Sequence, residues 1–231
     1  MPGKSLVVPD PRLRLIEDYF PIEDGHAQKR TGLDSVIETI KPRDLWVADR
    51  NFCTLKFMTA IDRSKAIFVI RHHSRVGGEL GKRRLIGTSD TGKVYEQSMT
   101  LSQFDGTRLK LRRIEIELFK PTRDKAKVLV ILTNVSTRKA NALKVAEIYL
   151  KRWKIETAFQ VLTSTLRCEV STLGYPGAAL FAFATALVAY NAVMIVECAI
   201  RSVHGKQEAD QLSKYYMALE ITEVQGKYSP K

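Results

Sequence analysis

Tyr149, Arg152 and Glu156 are a phenol, a guanidinium and a carboxylate spaced three and then four residues apart. Helical geometry brings such positions onto one face. Ile148, Ile155, Phe159, Leu162 and Leu166 fall on the adjoining apolar stripe. The three polar groups therefore line the margin of a buried face, where a polar cleft would meet a core. The same spacing suits an ordinary amphipathic helix with a solvated edge, and spacing alone does not separate the two. A second feature lies upstream. Leu45, Trp46, Val47 and Ala48 form an apolar run that ends at Asp49 and is bounded by Pro42 and Asp44. The run predicts a strand buried on both faces, as inside a parallel sheet. Ligands of open α/β sheets bind at the carboxyl ends of strands. Hard divalent cations take oxygen ligands, and two of them roughly 4 Å apart can clamp the attacking and leaving oxygens of a phosphodiester. A carboxylate at a strand end and another on a later helix suit that task. Asp49 would equally serve as a cap leading into residues 54–61.

Taken together, the two segments resemble the DDE transposases of bacterial insertion sequences, in the insertion-sequence-four branch. That branch carries a Tyr-x2-Arg-x3-Glu-x6-Lys signature, which Tyr149, Arg152 and Glu156 match. Ala48-Asp49-Arg50-Asn51-Phe52 is similar to the block around the family's second catalytic aspartate. The resemblance extends to the strand-like residues 128–135, to Leu173-Gly174-Tyr175-Pro176 and to the apolar stretch that follows, so it spans about residues 3–204. It implies an α/β fold of the RNase H-like superfamily, a mixed sheet flanked by helices with a β-rich insertion. It also implies DNA cleavage and strand transfer on double-stranded DNA, both transposon ends and target, by a homodimer in a synaptic complex. Two Mg²⁺ (or Mn²⁺) ions would be held by Asp49, Glu156 and a first aspartate. Tyr149, Arg152, Lys154, Arg167 and Arg50 would contact DNA. The implied compartment is the cytoplasm, at the bacterial nucleoid.

Two positions depart from the family pattern. Thr163 stands where the signature lysine would be, so that phosphate contact is lost or falls to Arg152, Lys154 or Arg167. The first aspartate, which the family carries on the opening strand of its core, has no clear counterpart before Asp49. Asp10 follows strand-like residues 5–8, but Pro9 and Pro11 flank it and residues 12–20 are again strand-like, so Asp10-Pro11 reads as a hairpin turn. Two strands and one helix, about residues 27–40, then precede the Asp49 strand, where the RNase H-like order has three strands. The expectation is a core lacking its central opening strand, with Asp10 as the alternative first acid. A sheet without that strand would leave unpaired backbone groups in both neighbours.

Composition agrees with a nucleic-acid partner. A formal charge of +12 gives salt-dependent attraction to phosphates, and the basic residues are dispersed in clusters at 71–75, 82–84, 110–113 and 151–154 rather than gathered in a tail. Solubility or an anionic membrane would account for the same charge. Cys53, Cys168 and Cys198 lack metal-type spacing and suit a reducing compartment. Met1 leads into no signal-like segment. His72-His73 would point to opposite faces of a strand, which argues against a metal pair.

Residues 84–86, 93–99, 109–119 and 128–132 are strand-like, separated in part by turns at Asp90-Thr91-Gly92 and Asp105-Gly106. Trp153 is either a stacking residue or core. Residues 178–200 are long and apolar enough to span a membrane, yet Glu197 would be expensive in lipid, so a buried core helix is expected. The organisation expected is a first part of the core (1–75), a β-rich insertion (76–127), the rest of the core (128–204) and a polar tail (205–231).

Overall fold

The structure, a computed structural model, describes residues 4–24, 26, 31–102, 106–122, 125–153, 175–213, 216–217 and 220. The chain forms two compact units, one of Met1–Gly32 with Trp153–Lys231 and the other of Leu33–Arg152.

In the second unit a helix α1 (Leu33–Glu38) precedes strand β3 (Leu45–Ala48), helix α2 (Leu55–Arg63) and strand β4 (Ile67–Arg71). Strands β5 (Glu79–Leu80), β6 (Arg84–Ser89), β7 (Gly92–Ser102), β8 (Arg108–Leu118) and β9 (Val128–Thr133) follow, then helix α3 (Ala142–Leu150). The strands make one sheet of seven in the order β3-β4-β9-β8-β7-β5, with β6 also on β7. Among the described strands of this sheet β3 and β4 run parallel, and the other pairings are antiparallel. The β-rich stretch therefore extends the same sheet that holds β3 and β4. Alternation produces this, since each strand sends every second side chain to one face. Val94, Ile114, Ile116, Leu129, Ile131 and Val69 line one face, and α3 covers them with Ala142, Val145, Ala146 and Tyr149. Gly92 closes the β6–β7 turn because a Cβ there would collide with the Glu117 carbonyl.

Arg112 ties α3 to this sheet. Its guanidinium grips both Glu96 carboxylate oxygens at 2.6 and 3.1 Å and donates to the Val135 and Ala140 carbonyls at 3.0 and 2.8 Å. Those carbonyls belong to the loop entering α3. Asn141 then caps the helix, accepting from the Lys144 N–H at 2.8 Å.

In the first unit β1 (Lys4–Asp10) and β2 (Leu15–Ile22) form a separate two-stranded antiparallel sheet. Long helix α4 (Pro176–His204) and short α5 (Lys206–Gln211) complete it. Helix α4 packs Ala186, Leu187, Tyr190, Val193 and Met194 against Val7, Leu15, Ile16 and Tyr19. Asn191 holds β2 at both poles of one residue, accepting from Ile16 N–H at 2.8 Å and donating to its carbonyl at 2.9 Å. The Tyr19 hydroxyl donates to the Leu180 carbonyl at 3.0 Å. By length and composition α4 could cross a membrane. Glu197, however, is buried and paired at 2.6 Å with both Arg14 and Arg201. A buried carboxylate compensated by two cations suits a helix docked on protein along one face. Helix α4 is not the enclosed core helix expected, however, since Phe181, Val188 and Ile195 are exposed among the described residues.

Several expectations need correction. Leu45 is exposed and the rest of β3 only half-buried, so that strand is not enclosed on both faces. Among the described residues it ends its sheet, with β4 as its strand neighbour. The first helix is described as Leu33–Glu38 rather than residues 27–40, of which 27–30 lie outside the described residues. A short helix occupies Lys206–Gln211, in what composition presented as tail.

Candidate active site

Strand β3 delivers Asp49 to the carboxyl edge of the parallel pair. Asp49 leaves the strand in extended geometry and caps a 3₁₀ turn over Arg50–Phe52, its Oδ1 accepting from the Arg50 N–H at 2.5 Å. The turn feeds Thr54, which caps α2 by accepting from the Phe57 N–H at 3.2 Å. Phe57 packs edge-on to Trp46, with ring centroids 5.9 Å apart, which fixes β3 against α2. Among the described residues the second Asp49 oxygen takes no hydrogen bond. Arg50 is exposed beside it.

Register places a further residue here. Ala48 pairs with Ile70 across β3 and β4, so the residues that follow, Asp49 and Arg71, end the two parallel strands side by side. Helix α3 packs on β4, its Val145, Ala146 and Tyr149 clustering with Val69. It closes at Leu150 and tightens into a 3₁₀ turn over Lys151–Trp153. The expected continuous helix through Arg152 is thus interrupted, and Tyr149 is 1% exposed, inside the core and not on a solvated edge. A phenol can do this because its ring is apolar and its hydroxyl small. Arg152 is half-buried, its guanidinium carbon 5.6 Å from the Tyr149 ring centroid.

Burial pushes the Tyr149 phenol above its ordinary value, and the Asp49 carboxylate acts in the same direction; the Arg152 and Arg71 guanidinium groups oppose them. The phenol is therefore protonated at neutral pH and can donate a hydrogen bond. Among the described residues the Arg152 Nε has no hydrogen-bond partner, and the Tyr149 hydroxyl lies beside the Arg152 guanidinium. Register thus sets Asp49 beside Arg71, and Arg152 lies against Tyr149. The sequence presents Arg71 only as part of the basic cluster 71–75, because its place beside Asp49 depends on β3–β4 register.

Glu156, Lys154, Arg167 and Thr163 lie outside the described residues, as does the Trp153 side chain. Asp10 ends β1, buried, and accepts at Oδ1 from the Arg12 and Leu13 N–H groups at 2.6 and 3.3 Å, so it closes the turn of its own hairpin. The His72 Nε2 meets the Val76 carbonyl at 2.8 Å, and His73 Nδ1 accepts from the Arg75 N–H at 3.2 Å. Among the described residues no three His, Cys, Asp or Glu side chains gather as a cation site.

A family model for the transposase DDE domain matches residues 5–192. The chain belongs to that family. A protein of Sinorhizobium fredii named as a transposase is 25% identical over 155 residues, covering 65% of this chain. The chain spans 42% of that relative's length. Domains of this family are generally divalent-metal dependent. The mixed α/β architecture, a mixed sheet flanked by helices, is consistent with such a domain.

Proposed function

We propose that this chain is the catalytic part of a DDE transposase of the insertion-sequence-four branch, built on an RNase H-like core, and that it cleaves and joins DNA poorly because its own residues supply two of the three acids. The observation that supports the reading is the pairing of Arg152 with Tyr149 at the end of α3, whose phenol feels the Asp49 carboxylate at the end of β3. Asp49 and Glu156 would hold Mg²⁺ or Mn²⁺. The donor chemistry fits, since Asp49 offers a hard oxygen that takes no hydrogen bond among the described residues. That single carboxylate is an incomplete set by itself. The chemistry such ions supply when bound is Lewis-acid stabilisation of the oxygens on either side of the scissile phosphorus. Tyr149 donates its hydroxyl to a phosphate oxygen. Arg152 grips the same strand, its planar fork matching two phosphate oxygens. Lys154, Arg167 and Arg50 add charge along the duplex, and the homodimer brings two transposon ends together.

A specific observation favours a second reading, a basic DNA-binding remnant or regulator without chemistry. Asp10 is engaged in its own turn and leaves the first acid unassigned. Nicking of supercoiled DNA by the purified chain, with and without Mg²⁺, tests both. Weak or no nicking together with salt-sensitive DNA binding is expected. DNA affinity indifferent to divalent cations selects the second reading. Mg²⁺-dependent nicking abolished by both Glu156→Gln and Asp10→Asn would overturn the two-acid proposal and make Asp10 the first acid. Absence of any salt-sensitive DNA affinity would sink both.

A further inference from the structure

We infer that the exposed face of α4 is a seam between two copies of this chain, packed antiparallel about a two-fold axis. The contact depends on no DNA chemistry, although it would serve the homodimer proposed above. Helix α4 buries one face on β1 and β2 and turns the opposite face to water. On that outward face Phe181, Val188 and Ile195 are 75, 70 and 57% exposed, an apolar ridge with a spacing of seven. Ala178, Thr185, Ala192 and Ala199 are exposed too and recur at the same spacing, each three residues before or four after a ridge residue. Alternating steps of three and four, sustained over this length, are the pattern of a helix–helix seam.

Shape and charge decide the partner. Antiparallel pairing centred on the level of Tyr190 sets Val188 opposite the partner's Ala192 and Phe181 opposite the partner's Ala199. Ile195 then meets the partner's Thr185, and Ala178 the partner's Ser202. Each large residue faces a small one, which lets the layers interdigitate without voids. Parallel pairing in register would set Phe181 on its own copy and Ala192 on its own, crowding one layer and emptying another. The hydroxyls of the stripe are already satisfied, since Thr185 donates to the Phe181 carbonyl at 3.0 Å and Ser202 to the Ala199 carbonyl at 2.7 Å. None of these positions is charged, so the stripe offers nothing to a phosphate backbone. Acyl chains present no fixed shape and do not select an alternation of large and small. The stripe over residues 178–202 runs about 36 Å. Two copies in contact would cover on the order of 1,200 Å², enough for a weak, reversible dimer.

The test is sedimentation equilibrium of the full chain, without DNA, across a micromolar concentration series. A reversible monomer–dimer equilibrium is expected. It should tighten as salt rises, because each copy carries a net charge of +12, whereas DNA binding weakens under the same change. Val188→Lys places two charges at the centre of the seam and should weaken the dimer about a hundredfold. Val188 is exposed in the single chain, so this variant should keep the wild-type circular dichroism spectrum and DNA affinity. Orientation is read from cysteines in a Cys168→Ser, Cys198→Ser background. Thr185→Cys mixed with Ile195→Cys should crosslink under mild oxidation, and neither alone should. Crosslinking of Thr185→Cys alone, or none in the mixture, overturns the two-fold arrangement. A chain monomeric throughout, or a dimer unaffected by Val188→Lys, overturns the seam; monomers that float with phosphatidylcholine vesicles assign the face to lipid instead. A monomer with salt-sensitive DNA affinity would sink the seam and leave the function standing. A dimer without that affinity would do the reverse.

Discussion

Tyr149 is buried for its ring and kept for its hydroxyl, and these two demands conflict. A buried hydroxyl costs about 1–3 kcal/mol unless a partner offsets it, and the group beside this one is the Arg152 guanidinium. Tyr149→Phe removes both effects while keeping the ring in the cluster of Val145, Ala146 and Ile131. Urea unfolding should show the variant as stable as the wild type or up to about 1 kcal/mol more stable, whereas its DNA affinity falls several-fold. A clear loss of stability would mean that the hydroxyl serves the fold. His72 offers a pH signature. Burial holds its imidazole below the ordinary 6.5, with Arg113 and His73 acting the same way and the Val76 carbonyl opposing them. The unfolded chain therefore binds this proton more readily than the folded one. Stability contributed by neutral His72 is complete above pH 6.5 and is lost as pH falls below that value toward the lowered folded one. The melting temperature should drop on acidification from pH 7 to about 5, and less steeply in His72→Asn.

At the scale of elements, two side chains hold what propensity cannot. Arg112, 13% exposed, spans from Glu96 on β7 to the carbonyls that lead into α3. Arg112→Ala leaves Glu96 and two carbonyls without their donor, which should cost about 3 kcal/mol in chemical denaturation. Arg112→Lys should recover little of it, because an ammonium group cannot reproduce the fork. Loosening α3 also loosens Tyr149, so the DNA affinity of Arg112→Ala should fall with its stability. In the other unit, Asn191→Leu removes both partners of the Ile16 peptide from a largely apolar contact. The expected loss is about 2 kcal/mol, read as a lower thermal midpoint of the whole chain. An unchanged midpoint would show that water replaces the amide without penalty.

For the molecule as a whole, the compact unit Leu33–Arg152 carries its own sheet, its own covering helix and the Asp49–Arg71–Tyr149–Arg152 locality. Residues 33–152 expressed alone should fold, giving a cooperative thermal transition and a strand-rich circular dichroism spectrum. A noncooperative melt would show that the unit depends on the rest of the chain. The β3 edge is uncharged and only half-buried, without the lysines or proline with which edge strands are usually blunted. Self-association of the isolated unit at high concentration would be the expected fault of such an edge.

Local pattern determined a great deal by itself. Alternation over Arg108–Leu118 specified a half-buried strand, the apolar run specified β3, and the run at Pro176–His204 specified a long helix carrying one anomalous carboxylate. These are properties of neighbours in sequence, and periodicity reports them directly. The tertiary structure decided which faces those elements share. Tyr149 lies in the core because α3 turns the face of Ala142, Val145, Ala146 and Tyr149 onto the sheet, and local spacing does not say which face of a helix meets a sheet formed by other segments. Arg71 stands beside Asp49 because two strands nineteen or more residues apart adopt one parallel register. Asp10 is held by its own hairpin because the turn's backbone donors reach its carboxylate first. Register, packing and turn closure are relations between distant residues, so they become fixed only when the chain folds.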